Sequence, residues 1–187
     1  MRALALICLA IASATLVSFA GDAPKIVHLR GGQFSYAMPG GSPVKFEKRL
    51  DAALLRFKGR FRLEGEYRYG HLSNDPKDTG AYDVIELTFV PDAKYLAKLP
   101  YWSDRGPATE LMFENAKDFI AKVIAPDLVR DVQNRKRMSV TGRAAIWVDR
   151  YTAAFDCDRP SYTVRFLKVD QPPTVVASNN LVASGCL

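Results

Sequence analysis

The chain has 187 residues, 26 of them Lys or Arg against 20 Asp or Glu, for a net charge of +6. That is the length of one domain, and the charge suits loose attraction to anionic lipid, cell-wall polymer or nucleic acid while being ordinary for a soluble protein. Only two histidines occur, His28 and His71; neither has a ligand-spaced neighbour, and no Gly-x-Ser-x-Gly elbow is present, so a histidine metal centre and a histidine-based triad are unsupported.

Residues 1–20 read as a secretory signal peptide. Arg2 precedes an apolar run from Ala3 to Leu9 that continues through Ile11, Leu16, Val17 and Phe19, and Ser18-Phe19-Ala20 supplies small residues at the −3 and −1 positions. As an uncleaved anchor the run would be at the short limit of about 17–20 residues, weakened by Ser13, Thr15 and Ser18. The expectation is therefore an exported protein, periplasmic or secreted, with no stable membrane span after cleavage. Cleavage also removes Cys8. The remaining pair, Cys157 and Cys186, is expected to form a disulfide in an oxidising compartment, stabilising the fold by roughly 3–4 kcal/mol and tying down the tail from Gln171 to Leu187.

Residues 21–43 carry Gly31-Gly32, Pro39-Gly40-Gly41 and Pro43, and predict a loosely structured arm with a short strand at Ile26–Leu29. Ser42-Pro43 resembles a helix start, and Phe46, Leu50, Ala53 and Leu54 recur at helical spacing, which predicts an amphipathic helix over Val44–Leu55. From Leu55 to Tyr69 the alternation is nearly unbroken. Leu55, Phe57, Gly59, Phe61, Leu63, Gly65, Tyr67 and Tyr69 share one face; Arg56, Lys58, Arg60, Arg62, Glu64, Glu66 and Arg68 share the other. One long strand is expected, bent at its inward glycines.

A polar turn at Gly70–Gly80 precedes a strand at Tyr82–Val90. A long connection over 92–107 contains one helical turn, and Thr109–Phe113 predicts a short strand. Asn115 and Asp118 form a capping-box variant before a helix that Pro126 ends, with a further helical turn at Asp127–Gln133. Strands at Met138–Tyr151 and Ser161–Val169 follow, joined by a turn at Asp156–Pro160.

This order, a long bent strand, two strands, a helix and two strands, resembles the OB-fold over Leu55–Asp170. The expected class is mainly β: an OB-like five-stranded barrel over 44–187, with an N-terminal helical arm and a disulfide-tied tail. A different small barrel or an α+β sandwich also fits the order. If the resemblance holds, ligands would meet the second and third strands and the loops at Gly70–Ala81 and Asp156–Pro160. Tyr69, Lys77, Tyr82, Tyr101, Trp102 and Arg159 are the binding residues this implies.

Glu64 and Glu66 would lie roughly 6.5–7 Å apart along a strand, near the spacing of an inverting carboxylate pair. Arg62 and Arg68 flank them, however, and a solvated charge-paired face explains them better. Asp75 and Asp78 do not match a calcium loop, and no catalytic residue, metal or cofactor is expected. The favoured reading is a non-enzymatic exported module that recognises a protein, glycan or other envelope component. The alternatives are an envelope hydrolase using carboxylates such as Glu64, Glu66, Asp83 and Glu86, and a basic anion or nucleic-acid binder. The Arg56–Arg62 ladder invites the last, but its cations face away from the aromatics, and export disfavours nucleic acid.

Overall fold

A computed structural model describes residues 23–31, 34–73, 84–156, 159–178 and 182–183. In chain order the described elements are β1 (Lys25–His28), β2 (Ser35–Met38), β3 (Lys45–Asp51), β4 (Leu54–Lys58), β5 (Phe61–Ser73) and β6 (Ile85–Pro91). Then come α1 (Ala93–Leu96), β7 (Tyr101–Trp102), β8 (Met112–Phe113), α2 (Ala116–Val123) and α3 (Pro126–Gln133). The chain continues with β9 (Ser139–Asp156), β10 (Arg159–Ser178) and β11 (Val182–Ala183). The fold is mainly β. Residues 1–20, Cys157 and Cys186 lie outside the described residues.

β9 is the axis of the main sheet. It pairs antiparallel with β10 along nearly its whole length, and on its other side with β5 from Ser139 to Val148 and with β4 from Tyr151 to Ala154. β6 extends the sheet beyond β5, β3 beyond β4, and β8 runs parallel to β10 at Thr163–Val164. The expected five-stranded closed barrel is corrected to an open sheet of eight strands. The reason is that β6 and the chain before β8 meet only at one isolated bridge, Phe89 to Leu111.

The predicted long strand is split. Phe57 pairs with Tyr151 and Phe61 with Val148, so Lys58, Gly59 and Arg60 have no register partner on β9. Gly59 fits because a Cβ there would stand 2.4 Å from the Pro43 carbonyl. Across the gap Arg150 takes a left-handed φ of 53°, as a bulged residue does. On either side the alternation holds. Leu55, Phe57, Phe61, Leu63, Tyr67 and Tyr69 are buried, and the intervening cations and carboxylates are not.

Two expectations at the N-terminus and one at the C-terminal tail are corrected. Val44–Leu55 is a β-hairpin, not a helix, and Phe46 and Leu50 are each 39% exposed. Two bulges, after Phe46 and after Arg49, insert extra residues and space the apolar positions as a helix would. The Arg49 guanidinium also donates to the carbonyls of Asp51 and Ala52, which braces the turn. The arm over 21–43 is not loose where it is described: β1, β2 and β7 form a three-stranded sheet. Tyr36 anchors it, stacked on Phe46 and edge-on to Phe57. The tail after Gln171 likewise continues β10 to Ser178, and β11 pairs parallel with Leu72–Ser73.

The core has two aromatic ends joined by Leu63, Ile146, Val148 and Val164. Tyr67, Phe89, Phe113, Phe119 and Phe166 pack under α2, where the Phe113 and Phe119 rings stack 4.5 Å apart. Phe34, Tyr36, Phe57, Trp102, Tyr151 and Tyr162 fill the other end. Asn115 occupies the cap position of α2 without bonding its backbone amides. Its amide instead exchanges two hydrogen bonds with the main chain of Phe166, at 2.8 and 3.0 Å, and continues the β8–β10 ladder. Pro126 opens α3 rather than only ending α2.

A Cβ at Gly65 would meet the Val90 carbonyl at 2.3 Å. Gly59→Ala and Gly65→Ala should therefore each cost about 1–3 kcal/mol of unfolding free energy, the range for forced overpacking. Urea denaturation of the two variants beside the parent protein measures this.

Candidate functional site

Of the predicted binding residues that are described, two are core side chains. Tyr69 is 4% exposed in the core beneath β6, and Trp102 is wholly buried. The Trp102 ring nitrogen donates to the Ala154 carbonyl at 3.1 Å, and its face packs edge-on against Phe34 and Phe155. Tyr101 is half-buried on β7, and Arg159 is exposed at the start of β10. Lys77 and Tyr82 lie outside the described residues. The end of the sheet where an OB-like ligand would enter is filled by Phe34, Trp102 and Phe155, with Arg105 lying 4.9 Å over the Phe155 ring. Burying that much aromatic surface is worth more than leaving it for a ligand.

His71, expected in a surface turn, is 3% exposed on β5. Its Nε2 donates to the Val132 carbonyl at 2.8 Å, fastening the last turn of α3 to the sheet. His28 is exposed on β1. Burial pushes the Tyr67 hydroxyl up to about 12; it has no hydrogen-bond partner among the described residues. That hydroxyl fits only because residue 142 is glycine: a Cβ there would stand 2.5 Å from it.

The polar chemistry is on the outer face of β5, β9 and β10, where side-chain alternation collects cations and carboxylates from all three strands. Arg62 lies between Glu64 at 2.5 Å and Asp170 at 2.6 Å. Lys94 reaches Glu64 at 3.1 Å, and the Trp147 indole donates to Asp170 at 2.9 Å. Arg165 grips Asp149 with two bonds of 2.7 and 2.6 Å, and Arg143 grips Asp92. Arg68 pairs with Glu66.

These partners set the protonation of the acids. Arg62 and then Lys94 hold the Glu64 carboxyl below the usual range, and Arg62 and then Trp147 do the same for Asp170. Arg165 holds Asp149 down. A general acid needs the opposite shift. Glu86 has it, raised by burial and then by the nearby charge of Glu110, but it lines neither of the two grooves on the outer face.

One groove, of about 260 Å³, is formed by Glu64, Arg143, Ala144, Ala145, Gln171, Pro172 and Thr174 where Pro172-Pro173 disturb the β9–β10 register. Its charges are already paired. The other, of about 420 Å³, opens at the interrupted ladder and is lined by Glu47, Lys58, Gly59, Arg60, Asp149 and Arg150. Asp149 belongs to Arg165, and Arg150 makes a loose 3.5 Å contact with Glu114. The Arg60 guanidinium lies over Trp147, 5.2 Å from the ring centroid. Among the described residues neither Lys58 nor Arg60 has a carboxylate within ion-pair distance.

The alternation already identified Lys58 and Arg60 as outward cations, and Gly59 as a point of bending. Asp149 and Arg150 lie on the partner strand, and nothing local in the sequence marks the positive φ that turns Arg150 towards the gap. Compared with protein-family models, curated proteins and solved structures, the chain shows no significant match to any of them.

Glu64, Asp149 and Asp170 also set the acid response. Being held low, they contribute stability that is complete above the ordinary carboxylate range of about 4 and is lost as the pH falls through their depressed folded values. Thermal melts from pH 7 to pH 2 should show Tm steady down to about pH 4 and falling below it. In Asp149→Asn the fall should be shallower and the plateau lower.

Proposed function

We propose that the chain is an exported, non-enzymatic binding module built on an OB-like frame, and that it binds through the outer face of β5, β9 and β10. The observation that carries this is the state of that face: Glu64, Asp149 and Asp170 are ion-paired and held as anions, while the kink groove keeps two cations without an ion-pair partner among the described residues. Such a surface recognises charge and lacks a raised acid poised beside a base.

The OB-like part rests on pairing order. β4 and β5 act as one long strand broken at Gly59, β6 pairs with it, and Phe89 and Leu111 exchange hydrogen bonds of 2.9 and 2.7 Å. β8 runs parallel to β10, and α2 and α3 stand between β8 and β9. In that frame the usual ligand mouth is occupied by the chain's own aromatics, so recognition falls to the outer face. Export rests on the leader-like residues 1–20.

The test is to immobilise the folded protein and offer it neutral and acidic polysaccharides and polyanionic peptides at low and physiological salt, following both retention and chemical change. Retention without turnover is expected, strongest for an acidic partner and weakening as salt is raised. Steady release of cleavage products would replace the module with a carboxylate hydrolase.

A further inference from the structure

Resting on that reading, we infer that the groove at the kink is a site for a single oxyanion group, a phosphate, sulfate or carboxylate, held by Lys58 and Arg60 with Arg150 behind them. Four features converge there. Lys58 and Arg60 are exposed cations without a partner carboxylate among the described residues. The Arg60 guanidinium carbon stands 5.2 Å from the Trp147 ring centroid, a cation–π contact that holds the cation beside the groove while its N–H groups keep the capacity for a fork-like contact with an oxyanion. The ladder skips Gly59 and Arg60, so the backbone beside the cations has no register partner on β9. Arg150 enters the same groove from the opposite strand because its backbone is left-handed there.

The carboxylates in the groove define the selectivity. Asp149 is neutralised by its two bonds to Arg165. Glu47, exposed on the bulge of β3, has no such partner among the described residues and stands on the rim as an unpaired charge opposing an anion. The site therefore favours an oxyanion group that lies between Lys58 and Arg60 and clears the Glu47 carboxylate. The Arg60–Trp147 contact places the cation over an aromatic face, an arrangement that also suits an oxyanion carried on a sugar ring.

The experiment is a titration of the isotopically labelled, folded protein with inorganic sulfate and phosphate, followed residue by residue by NMR. A parallel arm compares dextran sulfate with neutral dextran. Shifts are expected to concentrate at Lys58, Gly59, Arg60 and Arg150. Lys58→Ala with Arg60→Ala should weaken sulfate binding by about tenfold or more, as loss of two charge-assisted contacts implies. Glu47→Gln should strengthen it about two- to threefold by removing an exposed like charge. Lys117→Ala with Lys122→Ala, on α2, has the same charge change and should leave it unaltered.

Tighter binding of dextran sulfate than of free sulfate would assign the oxyanion to a polymer, and equal binding to the free ion; both support the site. Shifts spread over the whole basic surface, or sulfate binding unchanged in the double variant, would overturn it. The module reading has a separate fate. Retention of a neutral polysaccharide together with no local sulfate response would leave the module standing and remove the oxyanion site.

Discussion

The interruption of the ladder between β9 and the strand facing it is the constraint on which the rest of the molecule depends. A strand from Leu54 to Ser73 is too long to stay in register with a twisted partner, because twist accumulates along both. Here the mismatch is absorbed at one place, with Lys58 to Arg60 on one strand and Asp149-Arg150 on the other left out of the pairing. Two short well-paired stretches replace one long strained one. Gly59 permits it by letting the Pro43 carbonyl approach, which also seats the N-terminal hairpin against the sheet. The aromatic cluster around Tyr36 and Phe57 follows from that seating.

The same interruption explains why the two faces of the sheet divide their work. Inward, the alternation resumes in phase on each side of the gap, so Phe57 and Phe61 both enter the core. Outward, the pairs are continuous from Arg68–Glu66 to Arg165–Asp149, except at the gap itself. Exposed ion pairs contribute little stability individually. Their effect here is to consume the charge on the face, so that the unpaired cations at the kink are distinct from their surroundings.

Much of this was legible in the sequence, and what was not has identifiable causes. The inward set from Leu55 to Tyr69, the inward residues Val140 to Val148, and Tyr162, Val164 and Phe166 all follow from period-two alternation, and the structure buries them. Val44–Leu55, most of the β3–β4 hairpin, reads as a helix because bulges alter the period locally, which a pattern count does not see. Trp102 and Tyr69 were read as ligand-facing because an aromatic in an insertion or at a strand end looks available. Their burial depends on Phe34, Phe155 and the strands beside them, contacts made far along the chain. The groove was half visible, since its cations stand in the alternation while Asp149 and Arg150 reach it only through strand pairing.

Two edges of the sheet bear on how a partner can be met at all. β3 pairs only with β4 and carries bulges and three cations along its length, and the outer part of β10 is interrupted by Pro172-Pro173. A bulged, charged edge and an edge missing two consecutive donors both refuse an added strand. Exposed Val175 and Val176 beside that second edge are thereby kept from templating a neighbour. Along these two edges the sheet resists extension, and what stands open above it is side chains rather than backbone.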